Sequence, residues 1–260
     1  RLTPRNRAAL SLCARLDPGL APPAGLPAGD AARSSLQWML LSGLADDGLC
    51  DAYDEALDAA AALLVRTYRD SGAYPVIARL IFARNRKGRY LHDLAWALFS
   101  SRDPAVLGIL SGYLRSPNSR DAELAGRLLK HACDGFPAAG ASGQNRYADC
   151  KAWLRKNRPY LDFPGESFQE SSDPVFFRVN LEAKYLCKSK TARRPSDESL
   201  SPDDANRLAA FGRRKEAEKA ILAAYSSRLY AKSKSKWKQW MGKPVETQLK
   251  IARDREGGVR

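Results

Sequence analysis

Tyr74-Pro-Val-Ile-Ala-Arg-Leu-Ile-Phe82, Tyr90-Leu-His-Asp-Leu-Ala-Trp-Ala-Leu-Phe99, Asp103-Pro-Ala-Val-Leu-Gly-Ile-Leu110 and Ala122-Glu-Leu-Ala-Gly-Arg-Leu-Leu129 follow one another as short apolar segments. The third is the clearest. Asp103 stands where an N-cap belongs, and Pro104 stands at the first helical position, where its missing N–H costs nothing. Val106, Ile109, Leu110, Tyr113 and Leu114 then recur at helical spacing and predict one apolar face. Ser116-Pro117 ends the segment, because the residue before proline is pushed out of helical geometry. In the second segment Leu91, Leu94, Ala95 and Leu98 share a face while Tyr90, Trp96 and Phe99 spread around it, so burial on more than one side is expected.

The segments also form two copies of a pair. Pro75 and Pro104 open the first members, 29 positions apart, and Asp93-Leu-Ala-x-x-Leu-Phe99 matches Glu123-Leu-Ala-x-x-Leu-Leu129 at 30 positions. Tandem helix pairs that lean on their neighbours are the signature of an α-solenoid. In architecture the chain resembles a HEAT-type repeat, with pairs shorter than the roughly 40–47 residues usual there. The fold class is therefore all-α: short tandem helix pairs in a HEAT-like α-solenoid or an irregular helical bundle. The organisation expected is a Pro/Gly-rich N-terminal strap over 1–30, a helical-repeat domain over 31–190, a linker over 191–200, and a basic C-terminal helix and tail over 201–260.

Outside the repeat, helices are predicted over 34–44, 51–68, 144–157, 173–188 and 201–232, with 243–260 frayed. The Pro/Gly-dense stretch after Asp17 forbids regular helix. Residues 159–174 are rich in turn formers yet keep Tyr160, Phe163 and Phe168, a composition that fits a pinned loop or a partner-binding surface.

The chain has 260 residues, 44% of them apolar, and a formal charge of +14. Residues 31–100 hold 8 basic and 8 acidic groups, whereas residues 201–260 hold 15 basic and 7 acidic ones. A basic C-terminal arm seeks an anionic partner. Lys232-Ser-Lys-Ser-Lys-Trp-Lys-Gln-Trp240 interleaves lysine with indole, and Lys151, Arg155 and Arg158 form a stripe on the helix over 144–157. Lysines neutralise phosphates and indoles can stack on bases, so the nucleic-acid-binding candidates are Lys151, Arg155, Arg158, Lys232, Lys234, Lys236, Trp237, Lys238 and Trp240. Lysine and tryptophan beside an apolar stripe also suit an anionic membrane surface. Arg84-Asn-Arg-Lys-Gly-Arg89 reads as cations at a helix C-terminus or as a phosphate contact.

Catalytic motifs are missing: the chain has no His-Glu-x-x-His, Gly-x-Ser-x-Gly, Walker or Gly-x-Gly-x-x-Gly sequence. Asp54 and Asp58 share a face without an accompanying histidine, and His131-Ala-Cys133 is too slight for zinc. His92-Asp93 reads as a satisfied pair, and Asp93 with Trp96 or Asp149 with Trp153 would be the acid and aromatic of a helical-repeat glycosylase. No metal, cofactor or small-molecule substrate is implied. The function expected is a non-enzymatic helical scaffold or adaptor for a protein partner, through Tyr160, Phe163 and Phe168; the alternative is a nucleic-acid-binding protein using its Lys/Trp arm. Cys13, Cys50, Cys133, Cys150 and Cys187 are far apart and form no Cys-x-x-Cys, a usage that fits buried thiols and a cytoplasmic chain. Arg1 opens the chain in place of Met, so the numbering is expected to begin inside a longer product.

Overall fold

The computed structural model describes residues 30–132, 143–163, 176–188 and 202–257. The strap expected over 1–30, the linker over 191–200, Phe168, Cys13 and Cys133 lie outside this range, Asp30 apart. The described residues are mostly helical and fall into two compact units: 30–132, 143–151 and 176 form the first, and 152–163, 177–188 and 202–257 form the second. No described helix is long and apolar enough to cross a membrane.

The first unit contains α1 (Asp30–Gly43), α2 (Asp51–Arg66), α3 (Tyr74–Arg86), α4 (His92–Ser100), α5 (Ala105–Gly112) and α6 (Ser119–Ala132). The sequence α7 (Gly143–Asn157) crosses the division, which falls after Lys151. Small residues set the spacing. Ala56, Ala60 and Ala61 of α2 are buried, and α2 packs on α4. Gly43 lies so close to Leu57 that a Cβ there would sit 2.3 Å from its methyl carbon. The pairs α1–α2 and α3–α4 lie against each other, an arrangement the sequence did not suggest for α1 and α2: α1 meets α3, α2 meets α4, and α3 continues onto α5. In the third pair the pattern changes, because α6 packs on α3 as well as on α5.

The junctions repeat too. Arg69 and Arg102 both have left-handed backbone, with φ of 49° and 53°. Each is followed by an aspartate that accepts the N–H two residues on: Asp70 from Gly72 at 3.0 Å, and Asp103 from Ala105 at 2.8 Å. Helix α5 thus begins one residue later than its proline suggests, with Pro104 at the cap. Its last turn tightens into a 3-10 turn, Tyr113–Arg115, where Tyr113 stacks on Phe82 at 3.6 Å.

The first unit holds a buried charge cluster. Arg84 is only 2% exposed. Its Nε donates to Asp47 at 2.8 Å and its Nη1 to Asp58 at 3.0 Å, with further bonds to the carbonyls of Tyr90 and Asp54. Arg89 pairs with Asp54 at 3.3 Å and donates to the Gly48 carbonyl at 2.9 Å. Gly48 has φ of +94°, and a Cβ there would collide with the Arg89 guanidinium. Arg86 pairs with buried Asp121 at 2.8 Å. The phosphate-contact reading of residues 84–89 is thereby corrected for Arg84, which is enclosed, while Arg86 and Arg89 are part-exposed and paired with Asp121 and Asp54. Asp54 and Asp58 likewise serve arginines.

The second unit contains the 3-10 turn Arg158–Tyr160, an antiparallel ribbon of β1 (Leu161–Asp162) with β2 (Arg178–Val179), and α8 (Leu181–Tyr185). It continues with α9 (Pro202–Gly212), α10 (Glu216–Lys232), α11 (Lys234–Met241) and α12 (Val245–Gly257). Three helix expectations are corrected here. Residues 177–179 are extended, with Leu161 opposite Val179; Asn180 then caps α8 by accepting the Ala183 N–H at 2.8 Å. Adjacent Phe176 and Phe177 are both buried, which an extended chain permits because successive side chains point oppositely. The helix expected over 201–232 breaks at Gly212, since Gly212-Arg-Arg-Lys215 offers a poor helix former and three like charges with nothing apolar to bury. The tail expected to fray over 243–260 is helical to Gly257, because Val245, Gln248, Leu249 and Ala252 form a buried stripe.

Replacing Arg84 with methionine leaves Asp58, largely buried, without its cation and buried Asp47 with only Arg89 at 3.9 Å. Urea unfolding at neutral pH is expected to show a loss of about 3–5 kcal/mol; a loss under about 1 kcal/mol would contradict the cluster's role. Burial outweighs the Arg84 guanidinium at Asp58 and pushes its carboxyl up to about 6. The folded chain therefore holds this proton more tightly than the unfolded chain. The stabilising contribution is complete below the ordinary value of 3.8 and is lost as pH rises through about 6. The stability of the wild type minus that of Asp58→Asn should fall across this window by on the order of 2–3 kcal/mol, read from unfolding curves at successive pH values.

Candidate nucleic-acid interface

The core of the second unit gathers Tyr185, Leu186, Phe211, Leu222, Ala223, Trp240, Met241, Val245 and Leu249. Tyr185 is at its centre. Its ring stacks on Phe211 at 4.5 Å and meets the edge of Trp240 at 6.1 Å. Its hydroxyl donates to Gln248 at 2.7 Å, and its carbonyl accepts from the Ser226 hydroxyl at 2.5 Å. Ser226 and Gln248 are both fully buried.

These two polar residues hold α11 at two points. The Trp237 indole N–H donates to Ser226 at 2.8 Å. The Gln248 amide donates to the carbonyls of Met241 at 3.2 Å and Lys243 at 2.7 Å, which fixes the turn after α11. Ser233 caps the other end by accepting the Lys236 N–H. With Trp237, Trp240 and Met241 directed inward, helical geometry sends the rest outward. Lys232, Lys234, Lys236, Lys238 and Lys243 are all exposed.

Charge pairing is uneven across this unit. Lys188 pairs with Asp204, Lys219 with Glu216, Arg253 with Glu218 and Arg214 with Glu246. Lys184 is partly buried, donates to Asn157 at 2.6 Å, and has its ammonium pushed down by burial and by Lys156. In contrast, Lys232, Lys234, Lys236, Lys238 and Lys243 make no ion pair among the described residues. The sequence explains this: no acid stands between Glu218 and Glu246. The result is a one-sign field on the α10–α11 edge.

The remaining candidates fall out as follows. Arg155 and Arg158 are exposed in the second unit, and Lys151 is exposed in the first, 5.8 Å from the Tyr147 ring centre. Trp240 is only 3% exposed, so the reading of its indole as a base-stacking platform is corrected: it is a core residue. Trp237 is half-buried, and its edge-on partner Tyr230 lies at 5.0 Å. Tyr160 is half-buried beside Cys187 and Tyr230, where burial pushes its hydroxyl up to about 12. Phe163 is also half-buried, so both described rings of the loop are partly covered and partly open.

His92 and Asp93 are exposed neighbours at 3.5 Å, and Trp96 lies under Arg66 at 4.8 Å. Asp149 is exposed and Trp153 half-buried. Among the described residues no group of three or more His, Cys, Asp or Glu lies together to hold a metal ion. Cys150 is buried and its thiol pushed up to about 11; Cys187 is half-buried, and Cys50 is exposed, against the expectation of buried thiols throughout. The sequence reading missed Ser226 and Gln248, which look like ordinary surface residues; the i, i+3, i+4, i+7 run Val245, Gln248, Leu249, Ala252 was the signal for the second of them.

Comparison with models of known protein families, with curated proteins and with solved structures finds no match.

Ser226→Ala leaves the Trp237 indole and the Tyr185 carbonyl without their shared partner. A loss of about 1–3 kcal/mol is expected in urea unfolding, together with faster amide exchange in α11. Unchanged exchange in α11 would show that Ser226 does not hold this helix.

Proposed function

We propose that this chain is a nucleic-acid-binding helical protein whose contact surface is the lysine edge of α10 and α11. The observation that carries this reading is the set of exposed lysines at 232, 234, 236, 238 and 243 that make no ion pair among the described residues, on and beside a helix that hydrogen bonds from Ser226 and Gln248 hold at Trp237 and at the turn that follows it. An array of fixed cations lowers its own repulsion by taking up a polyanion, and each phosphate contact releases condensed counterions. Arg155 and Arg158 of the same unit add to its positive charge.

The scaffold reading has one observation of its own. In the first unit an apolar hollow of about 240 Å³ is lined by Gln37, Leu40, Leu41, Leu64, Gly72, Ala73 and Val76, with Leu41 52% exposed. That room accepts about one large side chain of a protein partner. The HEAT-like reading of the helix pairs α3–α4 and α5–α6 belongs with it, since such repeats present surfaces to other proteins.

The test is fluorescence anisotropy with a short duplex oligonucleotide over a range of salt. The slope of log affinity against log salt should shrink in magnitude by about 0.9 for each of Lys232, Lys234, Lys236 and Lys238 changed to glutamine. Arg127→Gln, at an exposed position of α6 in the first unit, should leave it unchanged. An unaltered slope in the lysine variants would refute this surface.

A further inference from the structure

We infer that the partner of this lysine edge is double-stranded nucleic acid, gripped through its phosphates with no base stacked on a protein ring. The inference rests on the nucleic-acid reading above and specifies its substrate.

The argument starts from the aromatic rings. Proteins that hold single strands without sequence preference combine a basic groove with exposed rings on which successive bases stack. The composition of residues 230–240 suggests such a platform, with Tyr230, Trp237 and Trp240 among lysines. The structure uses these rings differently. Trp240 lies in the core against Tyr185 and Tyr225. Trp237 has its N–H committed to Ser226 and its ring edge-on to Tyr230. Tyr230 in turn has the Lys234 ammonium 5.4 Å from its ring centre. Across the second unit every described aromatic ring is buried or half-buried: Trp153, Tyr160, Phe163, Phe177, Tyr185, Phe211, Tyr225, Tyr230, Trp237 and Trp240. What faces outward from α11 is ammonium groups, with Ser235 and Gln239 between them.

Lysine is a compact point charge with rotatable donors, suited to phosphate oxygens whatever the base. Lys234 and Lys238 are one turn apart, roughly 6 Å along the helix. A surface that gains only from phosphates favours the ligand with the denser phosphate array. That ligand is the duplex, which carries a charge every ~1.7 Å of its axis and releases more counterion per contact than a single strand. With five lysines engaged, the difference between the two release coefficients amounts to about tenfold in affinity at 0.1 M salt.

The experiment measures binding of the full chain, by anisotropy at 0.1 M salt, to three probes of one length: a duplex, one of its strands, and that strand with several bases removed to leave abasic sugars. The duplex is expected to bind about tenfold tighter than the intact strand, and the abasic strand should bind within about twofold of the intact one. Stacking would make each removed base cost about fivefold or more. Equal or tighter binding of the single strand, or a loss of about fivefold or more on base removal, overturns the phosphate-only duplex inference and leaves the nucleic-acid reading standing. Absence of salt-sensitive binding to all three probes overturns both.

Discussion

The hydroxyl and carbonyl of Tyr185 are the polar groups on which the second unit depends. The residue is fully buried, so both groups must find partners inside. The hydroxyl finds Gln248 in α12, and the carbonyl finds Ser226 in α10. Neither partner stops there. Ser226 also receives the Trp237 indole, and Gln248 also holds the carbonyls that follow α11. One buried tyrosine thus connects four helices through a fully satisfied network, and such networks specify a single arrangement. The lysines are displayed outward because the other face of α11 is committed to this core.

The first unit meets its polar requirements with charge. Arg84 stands between Asp47 and Asp58, Arg86 on Asp121 and Arg33 on Asp70, each pair having at least one buried member. Removing a single partner from such a pair leaves an uncompensated charge, so the pairing specifies helix positions strongly even where its net stabilisation is small. Functionally this matters because Arg84, Arg86 and Arg89, which look available in the sequence, already have carboxylate partners. The two units differ in where charge is buried: the first encloses Arg84 between two aspartates, whereas the second builds its core network from neutral groups and leaves five lysines on one edge facing solvent.

Much of the fold was legible in the sequence, and the reasons for the rest are specific. The paired helices between Tyr74 and Ala132 could be read because their apolar residues keep helical spacing and their prolines mark the starts. Neutral residues 31–100 concealed the Arg84 cluster, since a balanced composition does not reveal which charges are buried. Residues 176–188 misled because Val175, Phe176, Val179 and Ala183 fit a helical stripe as well as a strand followed by a capped turn; Asn180 decides it. The C-terminal helix was hidden by Gln248, which counts as polar in any pattern yet is a core residue. At the candidate site Lys232, Lys234, Lys236 and Lys238, singled out from the sequence, are exposed, and Lys243, which the sequence did not single out, joins them. The tryptophans were not correctly placed, because an indole among lysines reads the same whether it faces a base or its own core.

The central claim is that the exposed lysines of the second unit, and not the arginines of the first, meet the partner. Hydrogen–deuterium exchange of the full chain with and without a duplex oligonucleotide addresses it directly. The account predicts slowed exchange over residues 228–243 and none over 84–89. Protection over 84–89, or an unchanged pattern over 228–243 at saturating duplex, would contradict it.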